Sequence, residues 1–155
     1  MIDQFATVDL RIIKKQPQLA TTAHISALLT QLGLSDSAQE ELWVVALDGS
    51  RNVRTVVCAA KGGYHDCDVS MPTIMSAVLL AGTDRFFVAH NHPAGDLEPT
   101  NHDFDLTWRL ADAAEMMDMI FEDHVIVGPG GDWYSLQGHK QMRPARGAAR
   151  VAASR

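Results

Sequence analysis

A fully apolar tetrapeptide, Phe86 to Ala89, runs without a break into His90-Asn91-His92-Pro93-Ala94-Gly95-Asp96. Four consecutive apolar residues followed by turn formers fit a short buried strand, and Pro93 and Gly95 force the backbone out of it into a loop. Side chains two apart in a strand share a face. His90 and His92 therefore leave the strand end on one side, where two imidazoles can meet on one cation, while Asn91 points away. A lone histidine at a strand end is ordinarily a hydrogen-bonded structural residue. A pair at ligand spacing ahead of a Pro/Gly loop shifts the reading toward metal.

The segments around this one alternate between helical and extended patterns. Val8 to Ile13 fits a strand, and the Gln16-Pro17-Gln18 stretch breaks it. From Thr21 and Thr22 a helix opens with Ile25, Leu28, Leu29 and Leu32 on one face, and Gly33 stops it. Leu42 to Leu47, the Asp48-Gly49 turn and the β-branched run Val53 to Ala60 form a hairpin pattern. Ser70 is placed to cap a helix with Pro72 in its first turn and Gly82 past its end. A longer helix is expected from Thr100 to Met117, with Leu106, Leu110, Ala113 and Met117 as its inward stripe. Ile120 to Val127 and Trp133 to Leu136 supply two more strands around Gly128-Pro129-Gly130-Gly131. The resulting order β-α-β-β-α-β-α-β-β predicts an α/β or α+β sandwich of sheet and helices. At 155 residues it fits one domain burying roughly 70% of its unfolded surface.

A formal net charge of −6 argues against a surface built to neutralise phosphates. The one basic concentration is the tail from Lys140 to Arg155, with Arg143, Arg146, Arg150 and Arg155 among small residues. Without an apolar period it reads as a loosely ordered extension, and it is the part of the chain suited to touching nucleic acid. Cys58 and Cys67 lack a disulfide-framework spacing, and the first residues lack the apolar core of a secretory signal. Both point to the reducing cytoplasm. No apolar run approaches the ~20 residues of a membrane-spanning helix, so no membrane association is expected.

Asp103 falls on the helical stripe of Leu106 and Leu110, which directs a carboxylate toward the core side, where it needs a partner. Two histidines and a carboxylate are a common catalytic zinc set with the fourth position left for water. Such a site also wants a general base that is not a ligand. Glu40, at the mouth of the Leu42 to Leu47 strand, is the best placed upstream acid, and Thr100 can offer a hydroxyl to a developing oxyanion. Each residue has a plainer reading. Thr100-Asn101-His102-Asp103 fits a helix capping box, which is compatible with ligation. Glu40 and Glu41 in isolation read as solvated charges. His65 and Cys67 form an i, i+2 pair with no second pair to close a metal site. His124 reads as a structural hydrogen-bonding residue, and Trp43, Trp108 and Trp133 as core or pocket walls.

The stretch from His90-Asn91-His92-Pro93-Ala94-Gly95-Asp96 through Pro99-Thr100-Asn101-His102-Asp103 resembles the JAMM signature H-x-H-x7-S-x2-D of the JAB/MPN metalloprotease superfamily. The form HNHP-small-G-D followed by P-[ST] and Asp is similar to that of the RadC branch. Gln39-Glu40-Glu41-Leu42 and the run to Leu47-Asp48 resemble that branch's QE-x-F strand, and Asp123-His124-Val125-Ile126-Val127-Gly128 its DHIIVG strand. The resemblance spans residues 21 to 137. It implies the JAB/MPN fold, a cytidine-deaminase-like sandwich of a mixed sheet flanked by helices. Residues 1–20 would be an N-terminal strand and linker, 21–137 the metal domain and 138–155 a flexible basic tail. The resemblance further implies one zinc ion (Zn2+) on His90, His92 and Asp103, with Glu40 as catalytic acid/base. The implied reaction is hydrolysis of a peptide or isopeptide bond in a protein or peptide substrate, including modifier-linked ones. The competing reading is a DNA repair or mobile-element accessory protein that associates with nucleic acid, after the label the RadC branch carries. Two departures stand out. Thr100 takes the place of the usual serine, and Met1 to Ser35 leaves no room for the helix-hairpin-helix module that precedes the metal domain in full-length members.

Overall fold

The structure, a computed structural model, describes residues 20–62 and 70–139. The expected strand from Val8 to Ile13, the His65 and Cys67 pair and the basic tail from Lys140 lie outside those residues. The first helix, α1 (Thr22–Gln31), is capped by the Thr21 hydroxyl, which accepts the His24 N–H at 3.3 Å. It buries Ile25 and Leu29, one turn apart. Gly33 ends the run with φ 92, a left-handed conformation that glycine adopts without the clash a Cβ would bring.

Strands β1 (Glu41–Leu47) and β2 (Val53–Lys61) form the expected antiparallel hairpin. Its turn is tied by the Asp48 carboxylate, which accepts the N–H groups of Ser50 and Asn52, both at 2.9 Å. Helix α2 (Met71–Leu80) follows. Ser70 occupies its N-cap position, but the hydroxyl makes no capping hydrogen bond, so the start is set by Pro72 in the first turn. The remaining elements are β3 (Arg85–Asn91), α3 (Asn101–Met116), β4 (Ile120–Val127) and β5 (Trp133–Ser135).

The strands lie in the order β2-β1-β3-β4-β5. Only β3 and β4 run parallel, as the α3 crossover between them requires; the other neighbours are antiparallel. The sheet is therefore mixed, with a helical layer on each face. Leu42, Val44, Phe86 and Val88 pack with Ile74 and Val78 of α2 and Leu106 and Leu110 of α3. The alternate residues Trp43, Val45, Leu47, Phe87, Ala89, Val125 and Val127 pack with Ile25 and Leu29 of α1. Strand β1 is buried along its whole length, which is why its sequence reads as a continuous apolar run. Full burial of each large apolar side chain contributes about 1.5–3 kcal/mol, and both layers hold β3 rigidly at the centre.

Two expectations about side-chain placement are corrected. The inward stripe of α3 is Asp103, Leu106, Thr107, Leu110 and Ala114. Ala113 lies at its margin and Met117, 40% exposed, is the C-cap residue, beyond the last helical turn. Trp133 is 41% exposed, because β5 is a three-residue strand at the sheet edge. Trp43 is a core residue as expected. Among the described residues no helix is long and apolar enough to cross a membrane.

Candidate metal centre

Alternation along β3 puts His90 on the face covered by α2 and α3, with Phe86 and Val88, and Asn91 on the α1 face. Asn91 does more than point away. Its Oδ1 accepts the Glu41 N–H at 2.8 Å, and its Nδ2 donates to the carbonyls of Ser37 at 3.2 Å and Gln39 at 3.0 Å. The antiparallel pair Leu42 and His90 sets the register, and the Glu40 carbonyl accepts the Gly62 N–H at 2.8 Å. Glu40 is thus fastened between the ends of β2 and β3, next to the histidines.

Glu40, His90 and His92 each present one ligand atom, all within 4.8 Å of one another, so the three could hold a metal ion. The contacts tighten toward α3. His90 Nε2 and His92 Nε2 are 3.0 Å apart, Asp103 Oδ1 is 3.0 Å from His90 Nε2, and Asp103 Oδ2 is 3.4 Å from His92 Nε2. Asp103 and His90 are fully buried; His92 and Glu40 are partly exposed. The capping box is present too: Thr100 N–H donates to Asp103 Oδ2 at 2.7 Å and Asp103 N–H to Thr100 Oγ1 at 3.2 Å. The cap occupies Oδ2. Oδ1 is buried and faces His90 Nε2.

Behind the imidazoles lies a second ring of contacts. His92 Nδ1 is 3.2 Å from Asp96 Oδ1. His90 Nδ1 is 2.8 Å from His124 Nε2, and His124 Nδ1 is 2.7 Å from Thr107 Oγ1, whose hydroxyl donates to the Asp103 carbonyl at 2.7 Å. His124 is a buried hydrogen-bonding residue, as its place in β4 suggested, but sequence reasoning did not join it to the site. Thr107 was missed. Its one sequence signal is its position one turn after Asp103.

Burial drives the His90 pKa down, against the pull of the Asp103 carboxylate. His92 is shifted up, first by its contact with Asp103. For Asp103 burial acts upward, but the two imidazoles and the Thr100 N–H outweigh it and hold the carboxyl far below its usual range. A buried anion facing two imidazole nitrogens suits a cation. Ligands about 2.0–2.1 Å from a tetrahedral centre stand about 3.3 Å apart, close to the spacings of 3.0 to 3.4 Å among His90, His92 and Asp103. The residues fit the group.

Glu41 departs from the solvated reading. It is 7% exposed and accepts from the Ser37 hydroxyl and the Trp43 indole N–H, both at 2.8 Å, with Lys61 Nζ at 3.2 Å. It belongs to the scaffold on the α1 face. Cys58 nearby is a free thiol with its pKa pushed up to about 11 by burial and by Glu41, which leaves it unreactive.

The chain is similar to known proteins over most of its length. The profile described as "RadC-like JAB domain" matches residues 19–142. A "UPF0758 protein" of Porphyromonas gingivalis is 31% identical over 103 residues, covering 66% of this chain and 45% of the relative. Proteins of the same description from Roseiflexus sp. and Aliivibrio fischeri are each 29% identical, over 68% and 76% of this chain and 45% and 52% of the relative. The chain thus spans about half the length of the curated relatives it matches.

Proposed function

Because this chain belongs to the RadC-like JAB domain family, we propose that it is a zinc-dependent hydrolase of the JAMM type, cleaving a peptide or isopeptide bond. The family makes it a JAB-type, metallohydrolase-like domain. Zinc as the metal, the bond cleaved and the residue roles are our reading. The observation that carries it is the convergence of His90 Nε2, His92 Nε2 and the Asp103 carboxylate at spacings of 3.0 to 3.4 Å.

His90, His92 and Asp103 would hold the zinc. When bound, it supplies Lewis acidity and makes water available as a nucleophile near neutral pH. Asp103 touches both imidazole nitrogens and Glu40 presents a carboxylate oxygen within 4.8 Å of them; we assign the first to the metal and the second to proton transfer. Glu40 therefore takes the proton of the attacking water and delivers it to the leaving amine. Asp96 steadies the outer nitrogen of the partly exposed His92. The Thr100 oxygen accepts the Asp103 N–H, which leaves its proton to donate toward an oxyanion.

The substrate class is a protein or peptide amide, because the chemistry of water attack and amine protonation suits that bond. The test pairs elemental analysis of the purified chain with turnover of a panel of linear and lysine-linked fluorogenic peptides. Stoichiometric zinc, and a Glu40→Gln variant that keeps it while losing about 10²–10⁴-fold in turnover, is the expected result. Undiminished turnover in Glu40→Gln, or a chain that takes up no zinc, refutes the proposal.

A further inference from the structure

The contacts inside the sheet and α3 fix more than the position of His90. Asp103 O, Thr107 Oγ1, His124 and His90 form an unbroken buried chain at 2.7, 2.7 and 2.8 Å, and all four residues are fully buried. We infer that Thr107 and His124 are positioning residues that hold His90 with its proton on Nδ1 and so turn the Nε2 lone pair toward the metal position. The inference rests on the zinc-site reading above and extends it to two residues that touch no metal.

The direction of the chain follows from proton counting. A carbonyl oxygen only accepts, and a threonine hydroxyl has one proton to give. With that proton on the Asp103 carbonyl, the 2.7 Å contact between Thr107 Oγ1 and His124 Nδ1 is filled by the imidazole N–H. A neutral imidazole has one such proton, so His124 Nε2 is an acceptor and the 2.8 Å contact is filled from His90 Nδ1–H. His90 Nε2 is then bare. The opposite polarity would put the Thr107 proton on His124 Nδ1 and leave the 2.7 Å contact between Thr107 Oγ1 and the Asp103 carbonyl without a hydrogen. Neither ring has to change charge in this account.

The arrangement also links the two ligands. Thr107 is bonded to the backbone of Asp103, and His124 to the ring of His90. One chain of hydrogen bonds therefore aligns an imidazole on β3 and a carboxylate on α3, with β4 supplying the middle member. Partners of this kind ordinarily change metal affinity about 10–100-fold when removed.

The test uses the full chain and two readouts. Nitrogen-15 spectra of the histidine rings in the metal-free protein report which His90 nitrogen bears the proton. Chelator competition gives the zinc dissociation constant. Wild type is expected to show the proton on Nδ1. Thr107→Val, which keeps the shape and removes the hydroxyl, is expected to lose that preference and to bind zinc about 10–100-fold more weakly; Thr107→Ser restores both. His124→Gln, which can still offer an acceptor to His90 Nδ1, is expected to retain more affinity than His124→Leu. A proton on His90 Nε2 in the metal-free wild type overturns the inference, and so does unchanged zinc affinity in Thr107→Val. A purely structural role would lower the melting temperature of Thr107→Val without altering the ring tautomer, which also overturns it. Failure of the zinc-site reading looks different: the wild type would take up no zinc, and the ring spectra would still decide the tautomer.

Discussion

Glu40 and Glu41 are neighbours with opposite surroundings, and the difference comes from one amide. Asn91 draws the Glu41 N–H and the carbonyls of Ser37 and Gln39 toward β3. This leaves Glu41 on the α1 side among Trp43, Ser37 and Lys61 and Glu40 beside the histidines. Replacing Asn91 with Ala should cost about 2–3 kcal/mol, since it leaves buried backbone groups unsatisfied. Turnover should fall further than zinc affinity does, because the histidines stay on β3 while Glu40 loses its anchor. Denaturant melts and chelator competition on one variant separate the two effects. For Glu41, burial acts to raise the pKa, but the hydrogen bonds from Ser37 and Trp43 and the Lys61 ion pair bring it below its usual 4.5. A lowered folded-state pKa contributes stability above that value and loses it as pH falls through the lowered one. Glu41→Gln is therefore expected to cost about 1.5 kcal/mol at pH 7, with the gap to wild type closing below about pH 4.5. A gap that widened in acid would contradict this. The i, i+2 histidines were legible because strand geometry alone determines their common face. Glu41 was misread because the register that sets Lys61 opposite it passes through irregularities at Leu42/Trp43 and Ala46/Leu47, which the hairpin pattern does not disclose.

At the level of elements, α3 carries both a cap and a candidate ligand in one residue. Asp103 gives Oδ2 to the Thr100 N–H and turns Oδ1 to His90. Thr100→Ala should cost about 1 kcal/mol of stability through the lost cap, and Thr100→Ser should recover it. Along the same helix, Leu110→Ala is expected to cost about 2–5 kcal/mol, while Met116→Ala, at an 84% exposed position, should stay within about 0.5 kcal/mol. Equal costs at the two positions would contradict the stripe described here. The elements themselves could be read from the chain wherever one face or both were buried: β1 as a continuous apolar run, α1 from Ile25 and Leu29, and the hairpin from Asp48-Gly49. Reading failed at ends. Met117 follows the helical period on paper, but the helix stops one residue earlier. Trp133 sits on a three-residue edge strand and is left 41% exposed.

On the scale of the whole molecule, the order β2-β1-β3-β4-β5 brings the candidate site together from four parts of the chain. Strand β3 is central, so the start of β1 lies on one side of the histidines and β4, with His124, on the other. The α3 crossover lays Asp103 and Thr107 over the same strand ends. This convergence was outside the reach of spacing arguments. Glu40 lies 50 residues before His90; its place at the mouth of β1 suggested it, and the resemblance of Gln39-Glu40-Glu41-Leu42 and the run to Asp48 to the family strand supported it. A ligand that binds the folded state alone stabilises it. Zinc at about a hundred times its dissociation constant should add about 2.7 kcal/mol and raise the melting temperature by roughly 5–10 °C for a domain of this size. The gain should vanish with a chelator and in His90→Ala.

Anomalous diffraction at the zinc edge, from crystals of the zinc-loaded chain, tests the central claim most directly. The expected result is a single strong peak about 2.0–2.2 Å from His90 Nε2, His92 Nε2 and an Asp103 oxygen, with the Glu40 carboxylate set back from it. A peak bonded to Glu40 in place of Asp103, or no peak between the two imidazoles, would contradict the account.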